Sequence, residues 1–242
     1  MLDDRYYETD GDRAVGIRDP GQIALLPPVG APPSIRAFNQ YHDGHGQVQY
    51  TYQYLNSSGI YGPNASIDVS SFGTSFDIDV RICGVIRDAG ELIEPEEAVG
   101  FTLGYSILIV IVSLELALEE EQHNLPTGPS QDIATSIGPF LTTPESLTEF
   151  MVGSNPTAFN WKYDVKVNDQ EIMHGLDESN KPFAELLSYA SRIRRLQSAD
   201  VIAWPKLEKA PMEDSQLGRP LTSGDRIEVS VDGLGKLVAN LE

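Results

Sequence analysis

The sequence predicts an α+β protein that is mainly β, with few helices. Three observations carry this. Strand-type runs recur along the chain, at residues 76–87, 161–167, 226–231 and 236–241. The most apolar run, residues 101–118, is β-branched at its centre (Ile107, Ile109, Val110, Ile111, Val112) and carries Gly104, Ser106, Ser113 and Glu115. A buried strand explains that run better than a helix or a membrane span. One long segment, residues 182–196, has a clear helical period.

In chain order, residues 1–35 are rich in Gly, Pro and charge, with Pro27-Pro28 and Pro32-Pro33. They read as an irregular N-terminal arm holding a short strand at 22–26, ahead of one domain at 36–242. In the 76–87 run Asp77, Asp79 and Arg81 share one face by the period of two, while Ile78, Val80 and Ile82 share the other. Asp88-Ala89-Gly90 closes that strand as a turn. A short helix begins at Glu94-Pro95-Glu96-Glu97-Ala98, and residues 119–129 read as a charged loop ending in Pro126-Thr127-Gly128-Pro129. The 161–167 strand turns at Asn168-Asp169 and restarts at 171–173. In the helix, Asn180 is the expected N-cap and Pro182 suits the first turn; Phe183, Leu186, Leu187, Ala190 and Ile193 fall on one face. The last two strands flank Asp232-Gly233-Leu234-Gly235 as a hairpin.

The 242 residues, 40 % of them apolar, can bury a substantial core. A net charge of −19 argues against nucleic acid and against an anionic membrane surface. The single cysteine, Cys83, excludes an intrachain disulfide and sits in an apolar strand pattern, as a structural thiol does. The charged start Met1-Leu2-Asp3-Asp4-Arg5 lacks a signal-peptide core, so a cytoplasmic location is expected.

Several segments, in order, resemble the fumarylacetoacetate hydrolase family. Gly104-Tyr105 and the apolar run after it look like that family's glycine-tyrosine segment. Tyr54-Leu55-Asn56 followed by Gly62-Pro63 is similar to its aromatic-Asn segment. Asp79 and Arg81 lie where its strand carries a Glu-x-Glu pair. The stretch from Gly128 to Thr143 looks like its lysine-containing loop and the Gly-Pro-aromatic strand, and Gly224-Asp225 through Gly235 like its closing strand and hairpin. The resemblance implies a mixed β-roll across residues 34–242.

The chemistry residues depart from the family's pattern in one direction. Its two Glu ligands fall on Asp79 and Arg81, its third ligand on Val110, and its early Asp on Ala37 in Arg36-Ala37-Phe38. The loop lysine falls on Gln131, and Trp204-Pro205 replaces a small polar turn. Of those ligand positions Asp79 alone keeps an oxygen donor, and Mg²⁺ demands oxygen. An Arg of the family falls on Glu115, so carboxylate and guanidinium have exchanged places with Arg81. If Arg81 is inside, Asp79 or Glu115 must pair with it; otherwise it points to solvent. The family's base, a His near the start of the domain, falls near His42 and His45.

What the resemblance implies, with these departures, is a metal-independent enzyme. It would be a cyclase, isomerase or dehydratase acting on a carbonyl-rich, largely apolar small molecule. Arg81 would supply the electrophile, with Asp79, Glu115 and His42 or His45 beside it, and Val110, Gln131, Trp204, Tyr54 and Tyr105 would contact substrate. The alternatives are an inert relative serving as a structural or ligand-binding subunit, and ordinary Mg²⁺-dependent C–C bond hydrolysis, which ligand loss disfavours. No metal and no cofactor is expected. Relatives in the family are commonly dimers, so a homodimer is expected.

Overall fold

The computed structural model describes residues 25–176, 182–207 and 216–242, with backbone alone for 6–10, 13–18 and 177. The strands are β1 (Tyr6–Asp10), β2 (Arg13–Arg18), β3 (Ile35–His42), β4 (Val48–Leu55), β5 (Ile60–Tyr61), β6 (Ala65–Ile67), β7 (Phe76–Ile86), β8 (Thr102–Ser113), β9 (Ala134–Thr142), β10 (Met151–Val152), β11 (Asn155–Phe159), β12 (Trp161–Val167), β13 (Gln170–Asp177), β14 (Val201–Ala203), β15 (Arg226–Val231) and β16 (Gly235–Leu241). The α-helices are α1 (Leu114–Gln122) and α2 (Phe183–Ile193). The protein is mainly β, as the sequence predicts.

Seven strands form one sheet in the order β4-β3-β14-β7-β8-β9-β5, and five form a second in the order β13-β12-β15-β16-β6. Chain connectivity forces the first to curl. Laid flat, seven strands would hold their edges about 29 Å apart, at ~4.8 Å per spacing. Yet the two edges, β4 and β5, are joined only by residues 56–59. Five residue steps reach at most about 18 Å. The sheet is therefore rolled, with one face inside.

Pleat alternation sorts the residues. Val85, Cys83, Leu108 and Val110 face inward, onto Ile35, Ala37, Leu55, Val201 and Ala203. Ile78, Val80, Ile82, Ile107 and Ile109 face outward, onto the second sheet (Trp161, Val165, Val229, Leu237) and α2. Every residue of β7 is buried. A strand covered on both sides reads as a nearly continuous apolar run, and β8 does so too. By contrast β12 alternates buried and wetter positions, because one face of the second sheet meets water. Gly84 matters for α2: a side chain there would run into the Phe183 ring, so glycine lets the helix close on β7. The Asn168-Asp169 turn has φ of 50° and 66°, the left-handed pair that a tight β-hairpin needs.

Four expectations change. Residues 114–122 are helix α1 rather than strand and loop; Ser113 caps it by accepting from Leu116 N at 3.3 Å, and its Leu, Ala and Glu residues are good helix formers. The arm contains the β1–β2 hairpin. Leu25 and Leu26 form no strand, and residues 22–24 lie outside the described residues, as does the expected cap Asn180. Helix α2 ends at Ile193, which is 57 % exposed and so outside the buried face; Arg194 is extended, and Leu196 bridges to Gly90.

Candidate active site at the mouth of the roll

Strand β14 is only three residues long. It pairs with β3 on one side and β7 on the other; its ladder with β3 ends before Trp204-Pro205, where proline has no N–H, while Trp204 N and Leu207 N still donate to Ile82 O and Val80 O of β7 at 2.8 and 2.9 Å. β3 and β7 run on past it, leaving a gap between them. The Arg81 side chain fills that gap. Its Nη1 donates to Trp204 O at 3.0 Å and to Phe38 O. Its Nη2 donates to Asn39 Oδ1 at 3.1 Å and Asp79 Oδ2 at 2.6 Å, and its Nε to Asp79 Oδ1 at 2.9 Å. A guanidinium has five N–H donors, and all five are engaged. Arg81 is 2 % exposed and Asp79 4 %, so the bidentate pair is buried.

Register places the other residues around this clasp. Asp79 lies opposite Val110, Val110 opposite Thr135, and Thr135 beside Ile60. Arg81 lies opposite Leu108, which faces Ile137. Below these rows the roll is apolar; at its mouth Asn39, Thr135 and Asp79 supply polarity. Sequence reasoning missed Asn39 and Thr135. The signal was available for Asn39, two residues after Ala37 on the same face.

Gln131 ends the 3₁₀ turn Pro129–Gln131. Gln53 Nε2 donates to Gln131 Oε1, bridging the seam of the roll. A cleft of about 250 Å³ opens there, lined by Gln53, Tyr54, Leu55, Asn56, Thr127, Gly128, Pro129, Gln131 and Asp132. Gln131 Nε2 and Gln53 Oε1 make no hydrogen bond among the described residues. The turn is anchored from α1: buried Glu120 accepts from Gly128 N at 3.1 Å, Ser130 N at 2.9 Å and Ser130 Oγ at 2.6 Å. Burial pushes the Glu120 carboxyl up, but these bonds, Ser130's first, outweigh it and hold it below the usual range. A second hollow of about 290 Å³, lined by residues such as Pro95, Val99, Pro182 and Glu185, holds none of the expected site residues.

The remaining expected residues scatter. Glu115 does not meet Arg81. It sits seven residues beyond Leu108 and accepts from Thr74 N and Oγ1, both at 2.9 Å, and from Ser75 N at 3.1 Å, against Gly73 at φ 130°. Trp204 is 2 % exposed and stacks on Phe183 (centroids 4.8 Å apart, 28°) beside Tyr105 and Trp161. Its carbonyl, not its indole, reaches the clasp. Tyr105 is buried in the same aromatic cluster on the outer face, and burial raises its hydroxyl pKa. Neither ring contacts the cleft. Tyr54 does line it, 58 % exposed. Val110 is an inner wall of the roll. His42 and His45 are exposed at the tip of the β3–β4 hairpin, where Asp43 accepts from His45 N and Gln47 N. By pleat parity His42 points to the face opposite Asn39. Cys83 is fully buried, and burial pushes its thiol up to about 12, as an inert thiol requires. A separate buried pair, Arg36 Nη1 to Asp200 Oδ2 at 3.0 Å, lies on the outer face of β3.

The profile of the family described as Fumarylacetoacetate (FAA) hydrolase C-terminal matches residues 36–242. The chain belongs to the fumarylacetoacetate hydrolase family. It is 28 % identical over 183 residues to an uncharacterised protein of Pyrococcus abyssi, covering 74 % of each chain. Its fold is similar to 5-carboxymethyl-2-hydroxymuconate delta-isomerase from Mycobacterium smegmatis (TM-score 0.70, 17 % identity, 98 % of this chain and 92 % of that one). It is also similar to maleylpyruvate hydrolase from Sphingobium sp. SYK-6, solved with manganese(II) and pyruvate (TM-score 0.67, 19 % identity, 93 % and 76 %).

The residues at the family's ligand positions do not fit a divalent cation. Both Asp79 oxygens are taken by Arg81, and Ala37 and Val110 present hydrocarbon. A guanidinium at their centre would repel a dication. Among the described residues no three of His, Cys, Asp or Glu converge on a metal-sized space. No described helix is long and apolar enough to cross a membrane.

Proposed function

We propose that this chain is a metal-independent member of its family. It seats a carbonyl-rich small molecule at the mouth of the roll and rearranges it by proton transfer, as an isomerase, cyclase or dehydratase does. The observation that carries the reading is the Asp79–Arg81 clasp at the family's ligand positions. Gln131 Nε2 and Gln53 Oε1 offer one donor and one acceptor to a ligand carbonyl or enol, beside the exposed Tyr54 ring. Asp79 has both oxygens held by Arg81 and does not line the cleft, so Asp132, which does, is the carboxylate of the set placed to carry a proton. Arg81 is not the electrophile expected from sequence, because its five N–H groups are committed within the protein. That same saturation favours a second reading, a ligand-binding protein without turnover.

One experiment separates these. The protein, treated with EDTA, is mixed with 5-carboxymethyl-2-hydroxymuconate, the compound named for the Mycobacterium smegmatis relative. Loss of its conjugated absorbance, unchanged by chelator or added Mn²⁺, is expected. Binding without absorbance loss selects the second reading. Turnover abolished by EDTA and restored by Mn²⁺ overturns metal independence, and neither binding nor turnover overturns this substrate class.

A further inference from the structure

The hydrogen bonds left unmade at the mouth of the roll define what a ligand there must offer. Gln53 and Gln131 share one amide–amide bond, and both line the cleft. A primary amide carries two N–H donors and a carbonyl. Whichever glutamine donates, an N–H and a carbonyl oxygen of the pair stay free; here they are Gln131 Nε2 and Gln53 Oε1. Asn56 adds a second donor to the lining, because its Oδ1 already accepts from Ser58 N at 2.7 Å and its Nδ2 is left over. Asp132 is exposed in the same lining and is its one carboxylate. Among the described residues no cation lines the cleft. Between Arg36 and Lys162 the basic residues of the sequence are Arg81 and Arg87 alone. All five Arg81 donors are committed within the protein. Arg87 follows the last residue of β7, about 20 Å along the strand from Arg81. Arg36 lies under the Tyr54 ring, 5.6 Å from its centroid, but it is 3 % exposed and bonded to Asp200.

An ionised carboxylate offers acceptors only. In this cleft it would set a lone pair against Gln53 Oε1 and a like charge against Asp132, in a chain of net charge −19. A neutral amide or enol offers a donor and an acceptor together, which is what the glutamine pair lacks. We propose that the cleft takes an uncharged, planar compound with a hydrogen-bond donor beside a carbonyl: a lactam, or an enol whose neighbouring carboxyl groups are esterified. Gln131 Nε2 donates to its carbonyl, and Gln53 Oε1 accepts from its N–H or enol O–H. The Tyr54 ring, 58 % exposed, covers its flat face, and Leu55 and Pro129 meet its apolar edge. The cleft of about 250 Å³ is smaller than the ~300–1,000 Å³ of pockets that bury a drug-sized ligand, so one ring or a short conjugated chain fills it.

This rests on the function proposed above and narrows its substrate class. Free carboxyl groups weaken binding here instead of anchoring it. The free acid of the preceding experiment remains a ligand, but a weaker one than its ester.

Calorimetric titration of the full chain with four probes tests it: 5-carboxymethyl-2-hydroxymuconate, its trimethyl ester, 2-pyridone and N-methyl-2-pyridone. The ester is expected to bind about ten-fold or more tighter than the acid. Binding of the acid should strengthen as salt rises from about 20 to about 500 mM, because screening relieves repulsion. In Asp132→Asn it should strengthen about three-fold, with ester binding unchanged. 2-Pyridone should bind about five-fold tighter than its N-methyl form, which lacks the donor for Gln53 Oε1. Gln131→Glu, which still accepts from Gln53 but loses the donor, should weaken ester and pyridone about ten-fold with an unchanged circular dichroism spectrum. Binding of the ester alone identifies an enol ester as the ligand, and binding of the pyridone alone a lactam; either supports the inference. Acid that binds as tightly as ester, or whose binding weakens with salt, overturns it and leaves the proposed rearrangement standing. Ester or pyridone binding with no absorbance change supports it and selects the ligand-binding reading. Failure of all four probes to bind overturns both.

Discussion

Replacing Arg81 with Met tests the clasp directly. The thioether keeps most of the stem volume and removes all five donors. Asp79, 4 % exposed, is left as an unpaired carboxylate, and breaking a buried pair in this way costs about 3–5 kcal/mol. The carbonyls of Phe38 and Trp204 lose a donor at the end of β14, at about 1–3 kcal/mol for each buried group left unsatisfied. These losses overlap, because the gap between β3 and β7 relaxes once. A fall of about 5 kcal/mol is expected, a large share of the ~5–15 kcal/mol that typical domains possess. Urea unfolding followed by the fluorescence of buried Trp161 and Trp204 reads it. The double variant Asp79→Leu/Arg81→Met should recover about 3 kcal/mol, since the stranded charge is gone while the two carbonyls stay unsatisfied. A single variant within about 1 kcal/mol of wild type would falsify the clasp as a structural element. A double variant no more stable than the single would show that the carbonyls, not the ion pair, dominate.

Other outcomes follow from the same geometry. Burial raises the Asp225 carboxyl, but bidentate bonds from Arg219 (both 2.8 Å), with Thr222 N and Asn168 Nδ2, outweigh it and hold the pKa at about 2. A depressed pKa stabilises above the ordinary value of 3.8 and is lost as pH falls through about 2. Between pH 4 and pH 2 the protein should lose about 2 kcal/mol from this group, and Asp225→Asn should flatten that limb of a urea-midpoint profile. Glu120 has the same sign. Protection of the Gly128 and Ser130 amides, taken relative to the intrinsic exchange rate at each pH, should fall as pH drops below the usual carboxylate range, and be lower at every pH in Glu120→Ala; unchanged protection there would remove Glu120 as the anchor of Gln131. Trp204→Ala should cost about 3–5 kcal/mol in unfolding, because the indole fills the aromatic core rather than the cleft. Loss of ligand binding with stability intact would contradict that placement.

The sequence made one half of the site legible and hid the other. A period of two was enough to place Asp77, Asp79 and Arg81 on one face of β7, and to name Asp79 as a partner that Arg81 requires if buried. It left open whether that face met solvent, because the burial of a polar strand face depends on a curl imposed by the short link between β4 and β5. The exchange of charge with Glu115 suggested a pair, and the backbone refuted it. Ser113 stops β8 and starts α1, so Glu115 leaves the sheet and closes the turn at Gly73 instead. Good helix formers after Ser113 were in view, but the β-branched run before them dominated the reading.

Trp204 shows a more general limit. The resemblance put Trp204 among the residues expected to contact substrate; in space Trp204 and Phe38 both reach Arg81, but by their carbonyl oxygens. Their rings point the other way, into the outer core. A side-chain reading of a sequence has no means of noticing this, because every residue carries the same carbonyl. The distinction decides the chemistry of the mouth. A divalent cation draws together carboxylates from several strands, and each lost carboxylate weakens that cross-link. A guanidinium can draw together one carboxylate and whatever carbonyls a broken strand leaves unpaired. Once Arg81 bonds to Asp79, Phe38 and Trp204, positions 37 and 110 need no oxygen at all, and alanine and valine there complete the inner core. Clasp and apolar wall thus fit one another as a single arrangement, and the turn at Trp204-Pro205 that ends β14 makes room for it.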